Sequence, residues 1–311
     1  MIGWVTKSTG SWYNVRTADN KVLKCRMKGA LRIHGSKATN PVAVGDIVEV
    51  ETEGKIGDKG VITSVKDRKN YIIRRATNLS RQTHVIAANI DRMFVLATIS
   101  NPRTSPGFID RLLVTAEAYS IPAIVLINKQ DLYTSADLAQ AKDWIQLYSS
   151  IGYECILFSA LGKTDVERIR NKMSGSTNLL TGHSGTGKTT LINSLQPGLD
   201  LKVGNISATH SKGIHTTTFA EMYAISGGGW LIDTPGIKEF GIVNVEKEEL
   251  SHFFPEVFRK SKSCKFNGCL HLHEPGCAVI EAVENGEIAL SRYETYLNIL
   301  EGGELGKKYQ E

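Results

Sequence analysis

The residues most suited to chemistry form one unbroken run, Gly182-His183-Ser184-Gly185-Thr186-Gly187-Lys188-Thr189, entered through Thr181. An apolar stretch, Asn178 to Leu180, precedes it, and a helix-compatible stretch, Thr190 to Leu195, follows. Glycines at this spacing let backbone N–H groups close around phosphate oxygens, and the helix that follows turns its positive end toward the same anion. Lys188 would neutralise the β- and γ-phosphates, and the Thr189 hydroxyl would hold Mg²⁺. Strand, glycine-rich loop and helix in that order are the context a P-loop needs.

Three further motifs sit at the ends of apolar, strand-like segments. Asp233-Thr-Pro-Gly236 follows Trp230 to Ile232; an aspartate there suits the magnesium of a nucleotide, and the Gly236 N–H suits its γ-phosphate. Asn128-Lys129-Gln130-Asp131 follows Ala123 to Ile127, and the Asp131 carboxylate can accept two hydrogen bonds from guanine N1–H and its 2-amino group, which adenine does not offer. Asn128 and Lys129 would brace the base and the P-loop. Ser159-Ala160 fits a second base loop, with the Ala160 N–H directed at guanine O6. The expected ligand is therefore GTP with Mg²⁺. The guanine motifs precede the P-loop, whereas ordinary small GTPases place them after it, so the expected domain is circularly permuted. Compact domains tolerate such a rearrangement because their termini lie close together.

Between the P-loop and Asp233 runs Ser211-Lys-Gly-Ile-His215-Thr216-Thr217-Thr218. A threonine there would bind Mg²⁺ and sense the γ-phosphate, and Thr217 is the choice among the three. Gly236 is followed by Ile237, where Ras-like enzymes carry a water-positioning glutamine. An apolar side chain cannot polarise water, so slow intrinsic hydrolysis is expected. His215 is the candidate substitute, since imidazole can orient or deprotonate water near neutral pH; the competing reading makes it an ordinary loop residue. His215 and Lys188 are thus the catalytic candidates. A passive GTP-binding RNA scaffold is the alternative that the missing glutamine favours.

Cys264, Cys269, His271 and Cys277 offer three thiolates and an imidazole within a short stretch. A Cys₃His set fills a tetrahedral zinc site and leaves no open position, which makes one structural Zn²⁺ per chain the expectation and a redox role a weak one. His273 is the alternative nitrogen. Cys25 and Cys155 stand alone on strand-like segments and are expected as core thiols.

The elements that must position these groups fall into three stretches. Residues 1–72 read as short strands, Gly3 to Ser8, Ser11 to Arg16, Val22 to Met27 and Asp46 to Thr52, separated by turn residues, the pattern of a small β-barrel. That part is basic: fifteen Lys and Arg stand against seven Asp and Glu through Arg75, and twenty-two against twenty-five beyond it. Such an excess suits a phosphate-rich partner such as RNA, or merely a solvated face. Trp4, Trp12 and Tyr13 could stack bases or fill the barrel. Residues 73–242 begin with a polar connector to about Ile90 and then alternate strands with helices, predicting a parallel α/β sheet with ligands at its carboxyl edge. Residues 243–311 read as helical around the cysteines. No apolar run reaches the roughly 20 residues of a membrane span, and Met1 to Gly10 is no signal peptide, so a cytoplasmic protein is expected.

Taken together, Val44-Gly-Asp46, Ala88-Asn-Ile-Asp91, Asn128 to Asp131, Gly182 to Thr189, Gly213 to Thr218, Asp233 to Gly236 and Cys264 to Cys277 resemble the ribosome small-subunit-dependent GTPase A family (RsgA). The resemblance covers essentially the whole chain. It implies an oligonucleotide-binding (OB-fold) barrel, a circularly permuted P-loop GTPase domain and a C-terminal helical zinc domain. It also implies hydrolysis of GTP to GDP stimulated by the 30S subunit, a part in late 30S maturation, contact with 16S rRNA and a monomeric chain. In that family an apolar residue after the Asp-Thr-Pro-Gly stretch is normal, and a histidine matching His215 is a catalytic candidate. Two departures stand out: Ile214 occupies a position where Arg or Lys is expected, and His183 and Thr186 replace Gln and Val in the P-loop.

Overall fold

The computed structural model describes residues 1–29, 40–52, 59–75, 83–201, 220–234 and 245–301. The first five strands, β1 (Ile2–Ser8), β2 (Tyr13–Thr17), β3 (Val22–Met27), β4 (Ile47–Thr52) and β5 (Lys59–Val65), pair in the order β1-β2-β3-β5-β4, and β4 returns to β1. The barrel is closed, which leaves it no free edge. Alternate residues point inward, so Val5, Tyr13, Val15, Leu23, Cys25, Val48, Val50 and Ile62 form its core. Tyr13 is thus a core residue, whereas Trp12 lies on the outer side beneath Lys24 and Arg26, whose charges stand 5.0 and 4.3 Å from its ring centre.

Residues 73–90 are not a plain connector. β6 (Tyr71–Arg75) and β7 (Thr83–Ala88) form an antiparallel two-stranded sheet. The turn Val44-Gly45-Asp46 at the start of β4 meets the end of this hairpin: Val44 O accepts from Ala88 N at 2.9 Å, and Gly45 O accepts from the Asn89 side chain at 3.0 Å. Gly45 has φ +88°, and a Cβ there would lie 2.2 Å from the Ala88 carbonyl oxygen, so only glycine fits. Asp46, fully buried, takes both Arg68 Nε and Nη2 at 2.7 Å and also the Ala43 N–H at 2.7 Å. The two motifs that flank the barrel are therefore one joint.

The central domain comprises β8 (Arg92–Ala97), α1 (Pro106–Ala118), β9 (Ala123–Ile127), α2 (Ser135–Ile151), β10 (Glu154–Leu157), α3 (Lys163–Met173), β11 (Thr177–Gly182), α4 (Lys188–Leu195), β12 (Glu221–Ala224) and β13 (Trp230–Asp233). Its strands lie in the order β10-β9-β8-β11-β13-β12, parallel except for β12. Strands such as Met93-Phe-Val-Leu-Ala97 are apolar throughout because both sheet faces are covered. Met93, Val95, Val125 and Ile127 pack with α1 and α2, while Phe94, Leu96, Leu126 and Leu180 pack with α3 and α4. Local signals set the helix starts: the Ser105 hydroxyl accepts from Phe108 N ahead of α1, with Pro106 as its first residue, and Thr134 and Asp137 form a capping box on α2. β12 also touches the barrel through β1, where Lys7 and Glu221 pair at 3.0 Å.

The C-terminal part has a 3₁₀ segment, Lys247–Phe253, followed by α5 (Pro255–Ser261), α6 (Ala278–Glu284) and α7 (Leu290–Leu300). Its core, including Leu250, Phe254, Val257, Val279, Ile288 and Tyr296, incorporates Val114 of α1. Among the described residues no helix is long and apolar enough to cross a membrane.

Candidate active site and metal centre

Parallel strands end on one edge, and four of the predicted motifs meet there. β11 runs into the P-loop, and its register with β13 sets Asp233 beside Leu180. The loop is folded around its own lysine: Lys188 Nζ donates to the carbonyls of Gly182 and His183, both at 2.6 Å, and Thr186 Oγ1 donates to His183 O at 2.9 Å. Burial pushes the Lys188 ammonium down to about 8, against the opposing pull of the Asp233 charge. A phosphate entering the loop would replace those two carbonyls as the partner of this cation. Gly187 has φ +98°, and a Cβ there would strike Asn128 Nδ2 at 2.4 Å.

Asn128 joins the two loops predicted to hold the base to the glycine-rich loop. Only 2% exposed, its side chain donates to Thr186 O at 2.8 Å and accepts from Ala160 N at 2.9 Å. Lys129 is held in the left-handed conformation, φ 70°, with its ammonium on the Asn101 carbonyl. Burial lowers its pKa, and Asp131 opposes the shift. Ser159 lies at the end of β10, where its hydroxyl accepts from Leu161 N at 3.2 Å. Asp131, the residue predicted to read the base, is exposed.

Several supporting residues escape a reading by motif. Asp165 accepts from both Ser159 N at 2.9 Å and Gln130 Nε2 at 2.7 Å, tying the two base loops together. The Tyr133 hydroxyl donates to Asn128 O and accepts from Ile99 N at 2.8 Å, which brings in the segment after β8. That segment contains Asn101 and Pro102, joined by a cis bond, and a Cβ on Gly185 of the P-loop would lie 3.4 Å from the Pro102 ring. Phe108 of α1 stacks on the His183 ring, their centres 3.5 Å apart. Only Asp165, a carboxylate six residues after Ser159, carried a spacing signal that could have revealed it.

The cysteine/histidine group assembles as well. One donor atom each from Cys264, Cys269, His271 and Cys277 lies within 4.8 Å of the others. His271 Nδ1 sits 3.3 Å from Cys277 Sγ and 3.7 Å from Cys264 Sγ, whereas His273 is exposed. Of the two candidate histidines, His271 is the one placed among the thiols. Its backbone is left-handed, φ 58°, with its carbonyl held by the Tyr293 hydroxyl at 2.6 Å. Burial pushes the Cys269 thiol up to about 12. Three thiols and one imidazole at mutual contact fit a tetrahedral soft-metal site. Glu274 stabilises the intervening turn by accepting N–H bonds from Leu270, Leu272 and His273; burial would raise its pKa, but these bonds hold it down at about 2.

Profiles described as RsgA GTPase and RsgA N-terminal domain match residues 65–243 and 2–62, respectively. The chain belongs to the RsgA GTPase family. Proteins named "Small ribosomal subunit biogenesis GTPase RsgA" share 54% identity over 305 residues in Christiangramia forsetii and 50% over 309 residues in Bacteroides fragilis. These alignments cover 98% of this chain and 97% of the first relative, and 99% and 98% for the second. Among solved structures, YjeQ from Thermotoga maritima superposes with a TM-score of 0.76 at 34% identity, covering 99% of each chain. YloQ, described as a circularly permuted GTPase, gives 0.72 at 31% identity, covering 97% of this chain and 94% of its own.

As a member of the RsgA family the chain is a GTP hydrolase, and the expected permutation is seen in its sheet: the strand before the P-loop, β11, lies central yet late in sequence. The RsgA resemblance read from scattered motifs thus holds over the full length. His183 and Thr186, the two P-loop departures, have structural partners in Phe108 and the His183 carbonyl. His215, Thr217 and Gly236, with Ile214 and Ile237, lie outside the described residues.

Proposed function

We propose that this GTPase acts in biogenesis of the small ribosomal subunit, binding the 30S particle in its GTP form and leaving after hydrolysis. The observation that carries the reading is the Asn128 bridge, which ties the loops proposed for guanine to the loop proposed for phosphate, in a chain whose full-length relatives bear that name. The nucleotide residues are Asn128, Lys129, Asp131, Ser159, Ala160 and Thr181 to Thr189, with Gly236 on the γ-phosphate. Thr189, Asp233 and Thr217 would hold Mg²⁺, which would supply charge neutralisation to the phosphates. In the reaction, water attacks the γ-phosphorus as the bond to the β–γ bridging oxygen breaks; Lys188 offsets the growing charge, and His215 orients the water. Cys264, Cys269, His271 and Cys277 would hold one zinc, which would cross-link the segments around the C-terminal helices.

The barrel is the surface proposed for 16S rRNA. Its basic excess suits phosphates, and Trp12, beside Lys24 and Arg26, offers a ring for a base. A monomer in the bacterial cytoplasm is the matching state. Ile237 favours a second reading, a GTP-dependent scaffold with negligible turnover. Phosphate release from GTP, measured with and without purified 30S subunits, separates the two. Strong stimulation is expected, while tight GTP binding with no stimulation would establish the scaffold.

A further inference from the structure

P-loops bind phosphate through backbone N–H groups, so the His183 side chain has no required part in holding an anion. Here its ring lies flat against Phe108 of α1, with planes 23° apart. The His183 carbonyl is at the same time the acceptor for Lys188 Nζ and Thr186 Oγ1. Whatever fixes the His183 ring therefore fixes the peptide from which the phosphate-binding lysine hangs.

Two residues beyond Phe108, α1 carries Asp110, which is fully buried. It accepts from Thr295 Oγ1 at 2.9 Å and Tyr148 OH at 3.0 Å, and Arg292 Nη1 stands 3.1 Å away. Arg292, itself fully buried, also donates to Glu256 at 2.7 Å and lies over the Phe254 ring. The pair of carboxylates holds its guanidinium above the ordinary value despite the burial that would lower it. Arg292 and Thr295 belong to α7. The same helix grips the metal-ligand segment, because Tyr293 and Tyr296 donate to the carbonyls of His271 and Leu270 at 2.6 and 3.0 Å.

Residues two apart on a helix point to nearly opposite sides. Phe108 thus faces the phosphate loop while Asp110 faces the C-terminal domain. The rest of α1 is equally committed, with Ile109, Leu112 and Leu113 in the core of the sheet and Val114 in the core of the C-terminal domain. A close-packed element of this kind cannot yield on one side without load on the other.

We propose that α1 is a strut through which the C-terminal domain positions the phosphate loop, with His183 and Thr295 as positioning residues on its two opposite sides. The proposal rests on the reading of residues 182–189 as the nucleotide site. Its consequence is reciprocal: a partner that shifts α7 changes nucleotide affinity without touching the pocket, and nucleotide changes the hold on α7.

The test uses the full chain and four variants: His183→Ala, Thr295→Val, the double variant and Thr295→Ser. Fluorescent GDP affinity, KM and kcat for GTP, metal content and thermal midpoint are measured for each. Thr295→Val keeps the side-chain shape and removes the hydroxyl that meets Asp110 at 2.9 Å and the Ser291 carbonyl of its own helix at 3.0 Å. It should weaken nucleotide binding roughly two- to thirtyfold while leaving the metal content unchanged. Thr295→Ser should restore the parent affinity. The double variant should lose less than the product of the single losses, because both changes cut the same linkage. Parent-like affinity in Thr295→Val, or single effects that multiply in the double variant, would overturn the strut and leave the GTPase reading intact. A parent chain that binds no GTP would overturn the reading itself, and the strut with it.

Discussion

The Asn128 side chain and the Thr186 carbonyl lie 2.8 Å apart although 58 residues separate them along the chain. With the bond from Ala160 N, the Asn128 amide satisfies a donor and an acceptor on two different loops while remaining buried. Asn128→Ala strands both backbone groups at a cost of roughly 1–3 kcal/mol each. We expect GTP and GDP affinity to fall about tenfold or more, with a lower thermal midpoint. Parent-like affinity by fluorescent-nucleotide titration would deny the bridge its role.

Lys188 gives the site a pH dependence of defined sign. In the free protein burial sets its pKa at about 8, below the ordinary lysine value, and bound phosphates favour the charged form. Binding therefore takes up a proton once the free lysine has lost one. Affinity should be flat below about pH 8 and fall by up to about tenfold per pH unit above it. A titration series from neutral to alkaline pH, with calorimetry in buffers of different ionisation heat, measures both the fall and the proton. Constant affinity would mean that the free lysine stays charged throughout.

For the base, Asp131→Asn should move preference from guanine toward xanthine nucleotides, since the amide brings a donor where the carboxylate had only acceptors. Competition between GTP and XTP reads this directly. An unchanged preference for GTP would remove Asp131 from base recognition.

His271 and His273 are separated by placement rather than chemistry: one stands among the thiols, the other in solvent. His271→Ala should lose bound zinc and lower the melting temperature of the C-terminal helices, whereas His273→Ala should keep a full zinc content by elemental analysis. A chelator that strips the parent should reproduce the first variant. Equal zinc loss in both variants would contradict the assignment of Nδ1 of His271 as ligand.

The barrel joint offers a test of stability free of the nucleotide. Arg68→Met leaves the buried Asp46 carboxylate without its cation, at a cost of about 3–5 kcal/mol. Urea unfolding should show that loss. A shift below about 1 kcal/mol would mean that the pair is screened as surface pairs are.

How far the structure could be read beforehand differs from element to element, for physical reasons. Val22–Met27 and Ala123–Ile127 occupy the predicted spans because alternation or a pure apolar run marks them locally. The strand Lys59–Val65 and the helix Lys163–Met173 have no counterpart in the sequence reading: the first opens Lys-Gly and mixes Thr63 and Ser64 with its apolar residues, and the second buries only Val166, Ile169 and Met173 among charges. The hairpin of β6 and β7 owes its existence to pairing and to the Gly45 turn, neither of which shows as local period. In the site, residues whose chemistry is intrinsic, such as Lys188 and Cys277, stood out by type and spacing. Tyr133 and Phe108 act through contacts made only when distant segments meet, so their sequence neighbourhoods carry no mark of them.

The permuted order has a consequence for synthesis. β8, β9 and β10 leave the ribosome with both guanine loops, but β8 finds its neighbour β11 only much later: Thr177 N donates to Asp91, which lies 86 residues earlier. Closing so long a loop carries an entropic cost that must be met before the pairing gives anything back. While a nascent chain waits for β11, one long edge of β8 stands unpaired, an exposure that invites non-native pairing. The pocket for triphosphate then comes into being late in translation, when the sheet closes at its centre.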